Sequence, residues 1–247
     1  MQITQRPSPN RNMGRQGQVP DFIVCHITGG SFTSAINTIL NAANQVSYHF
    51  VVARDGTIVQ AVSIEDTAWA NGTTNSGDNR DNRHSTIAAV RERRRNANQF
   101  TVSIGFADSA SGELAAAQLL AGVNLIGHIV SEVVRIYGYN IPVARSNIIG
   151  HFEINPHTRA YCPGPRFPFD EVIRRVQQNV TVGVLPEPPV TPQVPLPPVG
   201  GVMANPSAWA REAWEWATEL GITDGTNPQG VPTREQMITL LYRYHKI

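Results

Sequence analysis

The feature that most restricts the fold of this chain is a proline-rich segment at residues 183–201, which reads GVLPEPPVTPQVPLPPVGG. Seven prolines lie from Pro186 to Pro198. Because proline fixes φ and has no backbone N–H to donate, the segment can join neither a helix nor a central strand. An extended spacer of about 3 Å per residue is expected instead. A proline-rich recognition motif for a partner domain is the alternative.

The spacer divides the 247 residues into a predicted domain over 1–182, a linker over 183–203 and a small module over 204–247. Hydrophobic residues make up 41% of the chain, enough for the larger part to form a core. The net charge of +1 gives no reason to expect nucleic acid or an anionic membrane as a partner. No apolar run approaches the ~20 residues of a membrane span, and the polar N-terminus lacks the apolar segment of a signal peptide. Synthesis in a cytoplasm without a signal peptide is therefore expected.

Strand-like and helix-like patterns alternate over residues 1–182. Runs rich in β-branched and aromatic residues predict strands at 21–28, 47–54, 57–62 and 100–106, with a hairpin turn at Asp55-Gly56. Apolar residues at helical spacing predict helices at 33–45, 115–137 and 170–178. These patterns predict an α/β domain in which helices flank one central β-sheet.

Residues 78–99, DNRDNRHSTIAAVRERRRNANQ, are basic and polar with little apolar periodicity. A solvated surface helix and loop is the simplest interpretation. A patch that meets an anionic polymer is the alternative. Nucleic acid fits less well, because no aromatic residues for base stacking are interleaved with the arginines.

The predicted module at 204–247 is all-α. Asn205-Pro206 begins a helix in which Trp209, Ala213, Trp216 and Leu220 share one stripe. Thr233 and Gln236 form a capping box for a second helix, which buries Met237, Leu240, Leu241 and Tyr244. Because about 40 residues are marginal as an independent fold, this module is expected to pack on a copy of itself or on the first domain.

Two histidines and a cysteine follow predicted strands or buried runs. His26 lies near the end of the first strand-like run, His151 follows the apolar run Ile148–Gly150, and Cys162 comes eleven residues later, before Pro-Gly. Strand alternation points Cys25 away from the face of His26, so Cys25 is predicted to lie in the core.

Four interpretations fit these residues. His26, His151 and Cys162 can bind zinc, because catalytic zinc sites use three such ligands and leave a fourth position for water. Cys162 can instead be a nucleophile with a histidine base. Cys25 and Cys162 can form a disulfide, although two cysteines are too few for a disulfide framework. In the fourth interpretation, the residues are structural and unconnected.

Five stretches carry a family resemblance: FIVCHITGG (22–30), SYHFVVARDGTIVQAV (47–62), TAWANG (67–72), TVSIGF (101–106) and IIGHFEINPHTRAYCPG (148–164). In this order they resemble the zinc-dependent N-acetylmuramoyl-L-alanine amidases of type 2, which include peptidoglycan recognition proteins and amidase-type phage lysozymes. The resemblance covers most of residues 20–178. It implies a mixed sheet flanked by helices and a Zn²⁺ cofactor bound by His26, His151 and Cys162. It also implies hydrolysis of the amide between N-acetylmuramic acid and L-alanine in peptidoglycan.

The resemblance also implies roles for residues around the zinc ligands. Tyr48 matches the active-site tyrosine of a Tyr-x-Phe strand, with a packed strand tyrosine as the alternative. Relatives often carry a lysine two residues before the cysteine, where this chain has Ala160. Arg159, three residues before the cysteine, is the candidate to replace it. His157 is another nearby donor and is predicted to contact substrate.

Three further residues lie in or near the segment that lines the substrate groove in the family. Trp69 and Asn71 lie in TAWANG, and Asn98 precedes TVSIGF. Aromatic faces and amides suit a glycan and peptide strand, so all three are predicted to contact substrate. For Trp69, a core tryptophan is the alternative.

Ala107 is the main departure from the family. Many of these amidases carry a glutamate on this strand as general acid or base, and Ala107 stands at the matching position. Alanine cannot transfer a proton. Three interpretations follow: the chain works with Tyr48 instead, the alanine is an engineered inactivation, or Asp108 takes the role. The third fits poorly, because alternation turns Asp108 to the opposite side of the strand.

The C-terminal stretch WAREAWEWATELGITDGTNPQGVPTREQMITLLYRY is similar to one S-layer homology repeat, notably in GITDGT and TREQM. Such repeats imply binding to a cell-wall polymer, here through residues 204–247. Self-association through this module is the alternative.

The motifs together predict an endolysin of phage type, made in the host cytoplasm and acting on the wall once the membrane is permeabilised. Peptidoglycan is the expected partner, with no nucleic acid and no membrane. A catalytically silent peptidoglycan-binding protein and a host amidase that recycles wall fragments are the alternatives.

Overall fold

The computed structural model describes residues 1–72, 82–109, 111–181 and 211–219. The chain divides into two compact units, Met1–Pro189 and Val190–Ile247, and each is described by itself. The first unit contains every strand found in the described residues. The predicted domain boundaries at 182 and 203 fall outside the described ranges and stay predictions.

The elements of the first unit follow one another with short connections. The strands are β1 Ile3–Gln5, β2 Arg11–Asn12, β3 Phe22–Ile27, β4 Phe50–Val52, β5 Ile58–Gln60, β6 Thr67–Ala68, β7 Thr101–Phe106 and β8 Ile148–Gly150. The helices are α1 Phe32–Leu40, α2 Ala88–Arg91, α3 Ala116–Tyr137, α4 His151–Ile154 and α5 Phe169–Thr181, with 3₁₀ turns at Ala42–Asn44 and Ala97–Phe100.

Six of these strands form one mixed sheet. Their order is β1-β5-β4-β7-β3-β8, and β4 and β5 are the antiparallel pair among otherwise parallel neighbours. β2 and β6 form a separate antiparallel pair. The predicted α/β class, with a mixed sheet flanked by helices, is confirmed. Because β3, β7 and β8 run parallel, their carboxyl ends meet at one edge, where loops of α/β folds form ligand sites.

One face of the sheet packs on the long helix α3 and on α5. Ile23 and Cys25 of β3 lie in this cluster with Phe106 of β7, as strand alternation predicts for Cys25. By length and composition, α3 is the one helix in the described residues that could cross a membrane. Its buried residues include Leu125 and Ile129 in the core cluster, so these residues make α3 a core helix of this unit.

The opposite face carries α1, α2 and the functional residues discussed below. Ile36 and Ile39 of α1 pack there, and so do Val90 of α2 and Phe100. The basic segment predicted at 78–99 contacts this face through Arg93. The Arg93 guanidinium pairs with Asp21 and lies 4.5 Å from the Phe100 ring centroid.

Two elements are shorter than the sequence pattern predicts. The first helix ends at Leu40, because Asn41 leaves the helical conformation and its side chain accepts a hydrogen bond from the Ala43 N–H. The second predicted strand begins at Phe50, three residues late. Tyr48 therefore precedes the strand, and alternation does not decide where its ring points.

In the second unit the structure describes α6, Arg211–Glu219. It lies within the first helix predicted for the C-terminal module, and Trp216 on it is half exposed. The predicted linker, the first and last turns of this helix with Trp209 and Leu220, and the second helix lie outside the described residues.

Candidate active site

Neighbouring strand ends place the two histidines side by side. His26 is the fifth residue of β3, and His151 begins α4 directly after β8. β3 and β8 pair in parallel, with Cys25 opposite Gly150. Both histidines are almost fully buried, and their ring centroids are 4.5 Å apart.

A tight turn brings Cys162 to the same point. The Phe152 N–H donates to the Cys162 carbonyl at 2.9 Å, which joins this turn to α4. Gly164 has φ +108°, and a Cβ there would lie 2.5 Å from the backbone of Ser111. Glycine is needed at this position because the two backbones touch. The Pro-Gly that follows Cys162 therefore turns the chain behind the thiol and packs it against a neighbouring loop.

The ligand atoms of the three residues converge. His26 Nδ1 lies 3.1 Å from His151 Nδ1 and 3.9 Å from Cys162 Sγ, and all three atoms lie within 4.8 Å of one another. Tetrahedral zinc with ordinary bond lengths separates two nitrogen ligands by about 3.3 Å, and nitrogen from sulfur by about 3.6 Å. The donor set and its spacing thus fit Zn²⁺.

Burial controls the protonation of these ligands. It lowers the pKa of His26 well below its usual value, and the neighbouring His151 and Arg159 lower it further. Burial, followed by Arg159, lowers the pKa of His151 to about 3, so both rings are neutral and offer a lone pair near pH 7. Burial raises the pKa of the Cys162 thiol to about 11, against the Ile27 N–H and Arg159, which lower it.

Two of the other interpretations of Cys162, a nucleophile and one half of a disulfide, do not fit the structure. A thiol with a raised pKa carries little thiolate at neutral pH, so Cys162 is a poor nucleophile by itself. Both cysteines are free, and Cys25 lies on the α3 face of the sheet. The suggested Cys25–Cys162 disulfide is therefore wrong.

Tyr48 lies beside His26. Its ring centroid is 5.1 Å from that of His26, and burial raises the pKa of its phenol, so it stays protonated at neutral pH. The ring crosses β7 at Gly105, where a Cβ would lie 3.0 Å from Tyr48 Cδ2. Because Gly105 has no side chain, the Tyr48 ring can pack against β7 at this point.

Arg159 carries a positive charge close enough to act on these residues. Its side chain is exposed, and its charge lowers the pKa values of His26, His151, Cys162 and Tyr48. Its guanidinium donates to the Thr158 carbonyl at 2.9 Å.

The part of the chain that holds these residues also matches a protein-family model. The model described as N-acetylmuramoyl-L-alanine amidase matches residues 16–165, more than half of the chain, including His26, His151 and Cys162. The chain belongs to the N-acetylmuramoyl-L-alanine amidase family. A comparison with curated proteins gave no significant match.

Several solved structures are similar to this amidase at low identity. A PlyL mutant in which alanine replaces a glutamate is 19% identical, with a TM-score of 0.50, covering 72% of this chain and 99% of that chain. The PlyG catalytic domain is 19% identical, with a TM-score of 0.49 and coverages of 72% and 94%. A selenomethionine derivative of AmpD is also 19% identical, with a TM-score of 0.48 and coverages of 71% and 93%.

Ala107 of the amidase directly follows β7, and its methyl group is fully buried. It packs with Ile36 and Val51 in the cluster that Tyr48 also contacts. By alternation it shares the face of Gly105, which pairs with His26. A longer side chain at position 107 would therefore start on the same face as the candidate metal ligand His26.

Asp108, the next residue, contacts the start of helix α1. It has φ +56°, and its carboxylate accepts a hydrogen bond from the Phe32 N–H at the start of α1, at 3.1 Å. Its carbonyl accepts one from Arg54. These contacts make Asp108 a helix-capping residue of this amidase and do not support the role of proton donor.

The predicted substrate contacts fall into two groups. Trp69 is partly exposed, with its indole N–H bonded to Asn12 Oδ1 at 2.6 Å, and His157 is exposed with its ring 4.7 Å from that of His84. Asn71 has no exposed surface, and Asn98 is 6% exposed. As placed, neither amide is open to a glycan or peptide. The Asn98 Oδ1 accepts backbone N–H groups from Ala70 and Asn71 instead.

Two residues that hold the site were missed by sequence reasoning. Glu153 Oε2 accepts the Gly150 N–H at 2.8 Å and pairs with Arg145, which fixes the turn into His151. An acidic residue three positions after a helix start is a capping signal, so the pattern G-x-x-E could have revealed it. Gly105 had no local signal, because its role depends on a ring that lies 57 residues earlier in the chain.

Proposed function

We propose that this amidase is an endolysin that uses Zn²⁺, bound by His26, His151 and Cys162, to cleave the N-acetylmuramic acid–L-alanine bond of peptidoglycan. The observation that carries the proposal is the convergence of three possible metal ligands within 4.8 Å, inside the region that matches the amidase family. One further observation supports it: the spacing of His26 Nδ1, His151 Nδ1 and Cys162 Sγ suits a tetrahedral ion.

A bound zinc ion would supply Lewis acidity and a water of lowered pKa. The protein's own contribution is to stabilise the negative charge that develops on the carbonyl oxygen of the scissile amide. Tyr48 is the proposed neutral donor, since its raised pKa keeps the hydroxyl protonated. Arg159 is the proposed cation, since its charge acts on all three ligands and on Tyr48.

Ala107 determines which residues can move protons. With no acid at this position, the chain is proposed to work with Tyr48 instead. Arg159 stays protonated and is proposed only as a hydrogen-bond donor to the developing negative charge. Trp69 and His157 are the proposed contacts to the glycan and stem peptide, because both expose a side chain.

A second candidate function is a catalytically silent peptidoglycan-binding protein. Ala107 favours it, because removing a general acid or base costs roughly 10²–10⁴ in rate. The same candidate includes the case in which Ala107 is an engineered replacement of a natural glutamate.

The C-terminal module is proposed to bind a cell-wall polymer, and residues 183–203 to act as its spacer. The S-layer-like sequence at 209–244 supports this assignment. Self-association of the module is the competing proposal. Both are consistent with an enzyme that acts at the cell wall.

Digestion of purified peptidoglycan tests the proposal. The chain as given, Ala107→Glu and Cys162→Ala are compared, and mass spectrometry counts new L-alanine amino termini and new reducing ends. We expect amino termini without reducing ends from the given chain, about 10²-fold more from Ala107→Glu, and none from Cys162→Ala.

Each other outcome has a definite meaning. Cleavage by Ala107→Glu alone identifies the given chain as the silent form. No cleavage by either supports the binding-protein candidate. Full activity of Cys162→Ala contradicts the metal site, and reducing ends contradict the assigned bond.

A further inference from the structure

Tyr48 lies outside regular strand structure, so contacts other than strand pairing must fix the direction of its ring. β4 begins two residues later, at Phe50. The residues on either side of Tyr48, Ser47 and His49, are both fully buried. His49 joins β7, because its N–H donates to the Ser103 carbonyl at 3.1 Å and its Nδ1 accepts the Ser103 N–H at 3.0 Å. The other side of Tyr48 is held by Ser47.

The Ser47 hydroxyl bridges the end of the β2–β6 pair. In this antiparallel pair Arg11 lies opposite Ala68, so Asn10 and Trp69 are the next residues in register. Ser47 Oγ donates to the Asn10 carbonyl at 2.6 Å and accepts the Trp69 N–H at 2.9 Å. The Ser47 N–H donates to the Trp69 carbonyl at 3.2 Å. Ser47 therefore joins both strands of this pair to the segment that precedes β4.

The indole of Trp69 is held by the same pair of strands. Its Nε1–H donates to Oδ1 of Asn12 on β2 at 2.6 Å, and the side chain is partly exposed. Both backbone groups of Trp69 are bonded to Ser47. Tyr48 follows Ser47 directly, and its ring centroid lies 5.1 Å from that of His26. One serine thus connects the proposed substrate contact to the proposed donor beside the candidate metal ligands.

We propose that Ser47 is a positioning residue that fixes Tyr48, the proposed oxyanion donor, relative to Trp69, the proposed substrate contact. The inference rests on the proposed function and adds to it a residue that acts through these two side chains. Because the hydroxyl is buried, no water competes for its two hydrogen bonds. Removing it leaves the Asn10 carbonyl and the Trp69 N–H without this partner, and the segment that carries Tyr48 shifts as these groups find others.

Kinetics on purified peptidoglycan measure the effect of Ser47→Ala, in the given chain and in Ala107→Glu. A displacement of about 1 Å costs on the order of 10²-fold in rate, so kcat is expected to fall about 10–100-fold. Zinc affinity is expected to stay within a few-fold of the parent. The reason is that the Ser47 hydroxyl bonds Asn10 and Trp69, neither of which is a candidate ligand.

Ser8→Ala is the matched control. Ser8 is equally buried, and its hydroxyl also donates to one carbonyl, that of Ile39, and accepts one backbone N–H, that of Asn10. Both variants lose the same two kinds of hydrogen bond, so a similar loss of stability is expected, with kcat of Ser8→Ala within about 2-fold of the parent. Parent-like kcat of Ser47→Ala overturns the proposal, and so does an equal loss of kcat in Ser8→Ala.

NMR of the zinc-free protein tests the placement without catalysis. In the parent, the Trp69 amide is expected to exchange slowly with solvent, and nuclear Overhauser contacts are expected between the Tyr48 and His26 rings. Fast exchange of this amide, or absence of the ring contacts, overturns the proposal even where Ser47→Ala does not fold. Where it folds, Ser47→Ala is expected to lose the ring contacts and Ser8→Ala to keep them; ring contacts retained in Ser47→Ala overturn the proposal.

The two measurements separate this inference from the proposed function. If neither the given chain nor Ala107→Glu cleaves peptidoglycan, the proposed function fails. The ring contacts then still decide whether Ser47 holds Tyr48 in place.

Discussion

At the scale of single residues, burial forces several histidines of this protein to stay neutral. His49 is the clearest case outside the ligand set. Its Nδ1 accepts the Ser103 N–H at 3.0 Å, and its Nε2 lies 2.9 Å from the Arg15 guanidinium. Burial, followed by the charge of Arg15, lowers the pKa of His49 well below 6.5. Arg15 has no carboxylate within ion-pair distance in the described residues, and burial lowers its own pKa to about 10.

The depressed pKa of His49 predicts a loss of stability in acid. The unfolded chain takes up a proton near pH 6.5, whereas folded His49 does so only at much lower pH. Below pH 6.5 the unfolded state therefore binds more protons, and the free energy of unfolding falls, by at most about 1.4 kcal/mol per pH unit from this group. His49→Asn keeps an acceptor for Ser103 and removes the titration, so its free energy of unfolding should fall less between pH 7.5 and 5.

Denaturant unfolding of both chains at the two pH values measures this difference. His26 and His151 contribute equally in parent and variant, so the difference isolates His49. An identical fall in the two chains would contradict the assignment.

At the scale of elements, β7 shapes the site because one of its residues, Gly105, has no side chain. Val102, Ile104 and Phe106 fill the core on the α3 face, while Gly105 on the other face leaves room for Tyr48. The turn after Cys162 works in a similar way, since glycines at 112 and 164 let two loops touch. Glycines at these positions therefore let the Tyr48 ring lie against β7 and hold the loop that carries the Cys162 thiol.

Gly105→Ala is expected to push the Tyr48 ring away from His26. The new methyl group would lie 3.0 Å from the ring and from Thr28 Cγ2, too close for either to stay in place. If Tyr48 is the donor, kcat should fall about 10²-fold, comparable to losing one oxyanion donor, with zinc affinity within a few-fold of the parent.

A double-mutant cycle with Tyr48→Phe identifies the route of this effect. In the Tyr48→Phe background, Gly105→Ala should have little further effect on kcat. Additive losses would show that Gly105 acts through something other than the hydroxyl of Tyr48.

At the scale of the whole molecule, the fold and the candidate site lie in one unit. The six-stranded sheet, α3 and the complete ligand set fall within residues 1–181. The last helix of this unit, α5, ends at Thr181, directly before the predicted linker. The catalytic unit and the module that follows it should therefore separate in function.

Residues 1–182 alone are expected to cleave a soluble muramyl peptide at a rate within about 2-fold of the full chain and to lose co-sedimentation with whole cell walls. Co-sedimentation is expected to be lost because residues 204–247 are proposed to bind the wall polymer. Pelleting assays and peptide release measure the two properties separately. Unchanged pelleting of the shorter chain would contradict wall binding by the module, and a change in oligomeric state alone would favour self-association.

Most of the fold could be predicted from local pattern. The alternation of β3 and β7 and the helical spacing of α3 reflect which side chains must leave water, and that information is local in the sequence. The ligand candidates were also visible, because His26, His151 and Cys162 stand at element ends in motifs that resemble a family. The strand start at Phe50 was predicted three residues early, since pattern alone does not say where pairing begins.

The sequence by itself determined the elements, the α/β class and the identity of the candidate ligands. Only the tertiary structure decided that Asn71 lies inside the protein, bonded to Thr101, and that Gly105 makes room for Tyr48. The physical reason is that these contacts join residues far apart in the chain. Their distances are set by strand order, by backbone approach and by the requirement that buried polar groups find partners.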